Sequence, residues 1–428
     1  MPGKRIIIIG GGFGGLSAAR ALRRHEVVLI DRTNHHLFQP LLYQVATAAL
    51  SPGDIAWPLR TVLRTQRNVR VVMDEVMSID RADRSVRLRE SPPMFFDVLI
   101  VAPGSRHAYF GHDEWERFAP GLKTLTDAVR MREKMLLAYE EADRRRASDG
   151  RNHQLTFVIV GGGPTGVEVA GALAEIGRKA MGPDFPTFSL EDLRILLVEG
   201  GPRILPGFSP DLSAKAETAL SQMGVTIRLN SLVSAVREDG VMIGEEFVPS
   251  ADIIWAAGNK ASPLLKTLGA AQDGIGRVKV GSDLTIPGEP WMFVLGDAAN
   301  CRGKDGNSLP ALAPVAIQQG RYVADVIEQD KSPSERRPFV YVDRGMLATI
   351  GRAKAVAQIG RLHVSGLLAW LLWCIVHIFF LIGVRSRLRV MSEWIWYYIT
   401  FKGGARLLFE RPERHYHEAA TRHQTTDK

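Results

Sequence analysis

The chain has 428 residues, 46% of them apolar, and a net charge of +8. That is enough for two or three packed domains, and too apolar for a linker or a disordered tail. Its two cysteines, Cys301 and Cys374, lie far apart, which excludes a disulfide framework, a C-x-x-C redox pair and a zinc cluster; no metal site is expected. The basic balance suits nucleic acid or an anionic membrane surface, so the placement of the charges has to decide.

The chain opens on Arg5 to Gly15, RIIIIGGGFGG. Four isoleucines in a row are too few for a membrane span and too β-branched for a helix, so they predict a buried parallel strand. With a strand beginning five residues in, no signal peptide is expected and the main body is expected in the cytoplasm. Gly10, Gly12 and Gly15 fall at G-x-G-x-x-G spacing, and Leu16 to Leu22 continue at helical spacing. A helix N-terminus then points over the strand end, offering free N–H groups, and Gly12 has no Cβ to keep a pyrophosphate away. The second strand, Glu26 to Ile30, ends in Asp31, a carboxylate able to accept from ribose hydroxyls.

Next comes an aromatic, amide-rich connection, Thr33 to Gln44, with His35-His36 and Phe38-Gln39-Pro40-Leu41. From pattern alone it is equally a capped helix start. A disulfide reductase would carry paired cysteines in this neighbourhood, and none is here. Val69 to Ile79 predicts one strand, and Asp97 to Val101 another that ends in Ala102-Pro103-Gly104. Such an ending lets the backbone pass beside a ligand, or simply turns the chain. Residues 123–147 predict a charged helix, followed by a linker at 147–150.

The opening pattern then repeats. Phe157 to Val160 run into Gly161-Gly162-Gly163-Pro164-Thr165-Gly166, and Val167 to Leu173 start a helix. The following strand, Arg194 to Val198, ends in Glu199, whose carboxylate would hold an adenosine ribose diol and repel a 2′-phosphate, favouring NAD(H) over NADP(H). Arg203 nearby argues the other way, since an arginine can accept that phosphate. Glu168 lies in the first turn of the helix, where it is either a dipole-stabilised carboxylate or a contact to the nicotinamide. Strands at 225–229 and 252–255 follow, the second ending in Ala256-Ala257-Gly258. Trp291 to Leu295 then deliver Gly296-Asp297, an acid placed to hold a polyhydroxyl chain. A helix begins near Pro314 and carries Ala316, Gln318 and Gln319.

At this point the chain resembles the type II NADH dehydrogenases, single-subunit flavin NADH:quinone oxidoreductases. The resemblance rests on both glycine turns, on NHHLFQPLLYQVAT, FVLGDAAN, APVAIQQG and FVYVDRGMLATIGRAKAV, and on the apolar C-terminus. It implies an α/β fold with two Rossmann-like dinucleotide-binding units, the FAD unit at 1–120 with 260–330 and the NAD(H) unit at 121–259, plus a C-terminal unit at 331–428. FAD would lie over Gly10, Gly12, Phe13, Gly14 and Gly15, with Asp31 and Arg32 at the adenosine and Val76 near adenine. Pro40, Leu41, Ala102 and Ala316 would lie near the flavin, and Gly296-Asp297 would hold the ribitol. NADH would lie over Gly161, Gly163, Pro164, Thr165 and Gly166 with Glu168, Glu199 and Gly258, and Gln318 and Gln319 would line the quinone tunnel. Pro314 stands where the family commonly has a first glutamine, and Pro103 where threonine is usual.

Ser365 to Val384 is an apolar stretch long enough to cross a bilayer as a helix, roughly 28 to 30 Å. Arg385, Arg387, Arg389, Lys402, Arg406, Arg411 and Arg414 follow, against three acids. A single span would leave this basic tail outside, against the positive-inside tendency, so a helix lying in the membrane interface is predicted. Trp370, Trp373 and His377, then Met391, Trp394, Ile395 and Tyr398, would place amphipathic rings at headgroup depth. A buried oligomer helix is the alternative. The resemblance supports monotopic attachment and leaves room for a homodimer through this region. The expected setting is the cytoplasmic face of the cell inner membrane, with lipid and quinone rather than nucleic acid as partners. No carboxylate relay is visible, so proton pumping is not expected. Sulfide:quinone reductases and disulfide reductases share this architecture but rely on cysteines absent here; a flavoprotein scaffold without turnover is the alternative from another class.

Overall fold

Ile6, Ile7 and Ile8 are fully buried, because the strand Arg5–Ile9 is covered on both faces. Ile6 and Ile8 pack with Leu16, Leu22 and Val323; Ile7 and Ile9 pack with Val28, Val101 and Leu265 on the other side. A parallel strand sandwiched in this way is a continuous apolar run rather than an alternating one. The structure is a computed structural model that describes residues 3–149, 154–181, 184–185, 190–400 and 405–408.

Arg5–Ile9 lies at the middle of a sheet whose order is Val69–Met73, Glu26–Asp31, Arg5–Ile9, Val98–Val101, Glu289–Val294, all parallel, with Thr285–Ile286 antiparallel at one edge. The helix Phe13–Ala21 packs on the helix Ala313–Glu328 so closely that a Cβ on Gly320 would stand 2.3 Å from the Gly14 carbonyl oxygen. The second sheet runs Val225–Arg228, Leu193–Val198, Leu155–Val160, Asp252–Trp255, again all parallel. Between the two sheets, Ser105–His107 pairs antiparallel with Asn259–Ala261.

Two predicted elements differ. Val69 to Ile79 is not one strand: it breaks at Asp74, whose buried carboxylate accepts the backbone N–H groups of Glu75, Glu90 and Ser91. That turns the chain into a separate sheet, Val76–Asp80 with Ser85–Leu88 and Met94–Phe95. Ser365 to Val384 is not one helix either. It is the end of a three-stranded meander (Met346–Gly351, Lys354–Ile359, Leu362–Ser365) followed by the helices Leu367–Phe380 and Val384–Thr400. Gly366 and Gly383, at φ 75° and 80°, adopt the left-handed backbone that breaks the stretch at each end. Among the described residues no helix is long and apolar enough to cross a membrane.

The C-terminal rings also face differently from the prediction. Trp373 is 2% exposed, stacks on His377 at 4.1 Å and shares a core with Leu41, Val45 and Val167. His377 donates from Nδ1 to the Trp373 carbonyl at 2.7 Å, and burial pushes its pKa down to about 4. Trp394 donates from Nε1 to Gln44 Oε1 at 2.7 Å. Trp373 and His377 turn inward by packing into the core, and Trp394 by its hydrogen bond to Gln44. The outward stripe is mostly aliphatic and phenyl: Leu368, Ile375 and Phe379 are exposed on the first helix, and Val384, Leu388, Ile395 and Ile399 on the second, with Trp396 the one exposed indole among the described residues. The Tyr398 side chain and Lys402, Arg411 and Arg414 lie outside the described residues, as does Gly150; the rest of the expected linker, 147–149, is instead the last turn of the helix Leu125–Asp149.

Candidate active site

The two glycine turns superpose in their chemistry, position for position. Gly10 and Gly161 sit at φ 98° and 109°, and their amides donate to the Ile30 and Val198 carbonyls at 2.8 Å in each case. A Cβ on Gly10 would stand 2.2 Å from the Ala102 oxygen, and one on Gly161 2.8 Å from Ala256 and Ala257 backbone atoms. Ala102 and the strand end Ala256-Ala257-Gly258 are therefore the walls against which each turn is folded. Gly15 and Gly166 admit no Cβ, which would lie 1.9 Å from the Gly10 and Gly161 oxygens. Gly12 and Gly163 differ from these: nothing lies within 4 Å of a Cβ there. Each caps its helix, Phe13–Ala21 or Pro164–Glu175, so both helix N-termini open onto free space that a diphosphate fits.

Asp31 Oδ2 accepts the Gly11 amide at 2.6 Å, and Glu199 Oε2 accepts the Gly162 amide at 2.6 Å. Each acid thus pins the middle of its own turn, and Asp31 Oδ1 also accepts the amide and hydroxyl of Thr33 at 2.7 Å each. Arg203 is engaged elsewhere: its guanidinium donates to the Phe208 and Pro206 carbonyls and to Ser213 Oγ. Pro164 occupies the helix start, with Thr165 beside it half-buried. Gly258 is at φ 69°, against Phe110 and Ala108. Around the first turn, Phe13 meets His36 edge-on at 5.1 Å, Pro40 and Leu41 form the short turn Gln39–Leu41, Val76 is buried at its strand start and Arg32 is exposed.

Gly296-Asp297 begins a turn whose Gly296 amide donates to Gln319 Oε1 at 2.7 Å. Ala316, on the same helix, lies 3.4 Å from where a Gly296 Cβ would be. Asp297 Oδ2 accepts from Ser105 Oγ at 2.6 Å, and Ser105 Oγ accepts from Lys123 Nζ at 2.8 Å. Ser105 and Lys123 did not emerge from the sequence, where each is an ordinary polar residue. Gln318 exchanges both hydrogen bonds with the Val342 backbone, at 2.9 and 3.0 Å. The two glutamines are thus committed to holding the backbone at Val342 and Gly296. Pro314 falls in the first helical turn, where its missing N–H costs little.

A recess opens on the far side of Pro164–Glu175, against the C-terminal helices. Tyr43, Gln44, Glu168, Glu175, Trp373 and Trp394 are on its wall, and Gln318 and Gln319 are not. Burial pushes the pKa of Glu168 up to about 8, against the hydrogen bond its carboxyl accepts from the Thr349 amide. Glu175 is raised as well, by burial opposed by the Arg352 amide. Trp394, Gln44 and Tyr43 form a chain of hydrogen bonds, Nε1 to Oε1 and then Nε2 to the phenol oxygen at 2.8 Å. Trp373 Nε1 is buried there with no partner among the described residues. The sequence pointed to Glu168 but not to this wall, which draws on five separate segments. Metal-ligating clusters are absent among the described residues.

The comparisons with known proteins agree with this geometry. The pyridine nucleotide-disulphide oxidoreductase family matches residues 4–320, and the NDH2 C-terminal domain matches residues 344–401. The chain is 43% identical over 421 residues to the type II NADH:quinone oxidoreductase NdhA of Mycobacterium tuberculosis, covering 94% of this chain and 88% of that one. It is 28% identical over 409 residues to demethylphylloquinone reductase NdbB of Synechocystis, with 91% and 95% covered. In fold it matches NDH2 of Plasmodium falciparum, solved in complex with NADH, at TM-score 0.86 and 20% identity over 95% of this chain and 100% of that one. The sulfide:quinone oxidoreductase of Aquifex aeolicus shares the fold at TM-score 0.71 and 18% identity, with 90% and 92% covered. A matched catalytic body, a matched C-terminal domain and relatives similar along nearly their full length lead to one assignment: the chain belongs to the type II NADH:quinone oxidoreductase (NDH2) family.

Proposed function

We propose that this chain oxidises NADH through FAD and passes two electrons to a quinone that enters the recess beside the C-terminal helices. The overall change is NADH, a proton and quinone to NAD⁺ and quinol. FAD, when bound, supplies the hydride acceptance and the two-electron transfer. The protein's part is to bind, orient and supply a proton. The Gly10 to Gly15 turn with Asp31, and the turn and acid at Gly161 to Gly166 and Glu199, seat the two dinucleotides; Asp297 orients the ribitol. The FAD unit is drawn from 1–120 and 260–330, and the NAD(H) unit from 121–259.

The observation that carries the reading is the position of Glu168. It is the fifth residue of the helix Pro164–Glu175, just past the first turn where the spacing had put it, and it stands on the wall of the recess, so the helix that begins at the second glycine turn also carries an acid to the quinone side. With its pKa near 8 it is mostly protonated at neutral pH and able to give a proton to a reduced quinone oxygen. Trp373 Nε1–H, buried and unpartnered, offers a donor to a quinone carbonyl. The outward apolar stripe of Leu367–Phe380 and Val384–Thr400 supports attachment to the lipid surface from one side, on the cytoplasmic face of the inner membrane, and the same stripe can seat a second copy.

Anaerobic NADH added to the purified flavoprotein tests this. The yellow colour bleaches within the mixing time of turnover and a soluble quinone restores it; a flavin that stays oxidised overturns the reading.

A further inference from the structure

Lys123 is tied by its side chain and its backbone to residues that neighbour the expected flavin contacts Ala102, Asp297 and Pro40. Its ammonium donates to Ser105 Oγ at 2.8 Å, three residues past Ala102. Ser105 passes a hydrogen bond on to Asp297 Oδ2 at 2.6 Å. The Lys123 carbonyl accepts from Gln39 Nε2 at 3.1 Å, next to Pro40. Burial pushes the ammonium pKa down, against the pull of Asp297. A half-buried cation is stabilised by counter-charge, and Asp297 reaches this one only through a serine hydroxyl. Ser105 Oγ is the one hydrogen-bond partner of the three-proton ammonium among the described residues.

We propose that Lys123 is the internal counter-ion of the bound FAD, its ammonium facing negative charge that the cofactor brings to this site. This rests on the reading of the first turn, Ala102, Pro40 and Asp297 as the FAD site. Two parts of FAD carry such charge: the pyrophosphate at all times, and the ring once a hydride has added one negative charge to it.

The test compares wild-type flavoprotein with K123M and K123R in two measurements that use neither NADH nor quinone. Equilibrium release of FAD on dilution reports the pyrophosphate, and the reduction potential against equilibrating dyes reports the ring. K123M is expected to release FAD at least about tenfold more readily, or to shift the redox equilibrium about tenfold toward oxidised flavin, about 30 mV for a two-electron couple. K123R, which keeps the charge, stays close to wild type in both. Should K123M not fold, K123Q against K123R makes the same comparison. Unchanged FAD release and unchanged potential, with only the Tm altered, overturn the proposal. Because no arm uses NADH, that failure is distinct from a flavin that NADH does not bleach.

Discussion

Glu199 accepts the amide of Gly162 at 2.6 Å and that of Gly201 at 2.7 Å, one carboxylate oxygen to each. The acid is thereby fixed at the strand end beside the glycine turn, where the proposed NADH site puts an adenosine ribose. A 2′-phosphate dianion there meets a like charge, while the Arg203 guanidinium aims its N–H donors at the Phe208 and Pro206 carbonyls. Glu199→Ser is therefore expected to raise the ratio of kcat/KM for NADPH over NADH by about tenfold or more, equivalent to ~1.4 kcal/mol of discrimination. An unchanged ratio removes Glu199 from the adenosine site. Arg203→Ala in the same assay lowers stability and leaves the ratio near wild type.

The proton on Glu168 sets the next expectation. With a folded-state pKa of about 8 against an ordinary glutamate value near 4.5, the carboxyl is neutral at pH 7 and ionises as pH rises through 8. Quinone-dependent turnover should fall above pH 8 while NADH bleaching of the flavin holds up, and Glu168→Gln should lower turnover and erase that limb. Linkage gives a second readout. A raised folded pKa means the folded state holds the proton longer, so its stabilisation is complete below the unfolded value and is lost as pH climbs through 8. Tm of the wild type should drop over that interval, and Tm of Glu168→Gln should not. The amide still accepts from Thr349, which separates proton loss from loss of that hydrogen bond.

These two predictions draw on residues that the sequence made visible for a physical reason. A turn that folds back on its own strand tolerates no Cβ at Gly10, Gly15, Gly161 or Gly166, so the spacing is written into the chain. The acids sit at strand ends because the sheets place them there. Lys123, Ser105 and Asp297 were not visible as a group, because they come from separate elements and no local pattern sets them together. Nor was the break at Gly366 and Gly383, which a hydropathy reading passes over. Helical spacing found the rings Trp373, His377 and Trp394 but not which way they face. Core packing turned Trp373 and His377 inward, and the Gln44 side chain on another segment turned Trp394.

Gly171 tests how tightly the nucleotide-binding helix and the C-terminal meander are joined. A Cβ there would lie 1.6 Å from the Ile350 carbonyl oxygen, a backbone atom that cannot rotate away. Gly171→Ala should push Met346–Gly351 off the helix Pro164–Glu175 and cost about 1–3 kcal/mol as overpacking. Thr349, whose amide holds Glu168, moves with that strand. The variant should therefore show a lower Tm and a shifted upper pH limb of quinone turnover. A variant with wild-type Tm shows that the two elements can separate freely.

The outward stripe of the C-terminal helices makes the last prediction, and it turns on which side of each helix is changed. Leu368 is 70% exposed and Ile375 67%, so on an isolated protein serine at these positions removes apolar surface from water and leaves the core untouched. If lipid covers the stripe, each side chain contributes burial energy of about 1.5–3 kcal/mol to the bound state only. The double variant L368S/I375S should then float with anionic vesicles at least about tenfold less, with Tm and NADH bleaching unchanged. Trp373 sits on the opposite side, 2% exposed; Trp373→Ser should lower Tm by several degrees through the cavity it leaves. Vesicle binding indifferent to L368S/I375S, together with a fall in apparent mass on sizing, assigns the stripe to contact between copies of the chain instead of lipid.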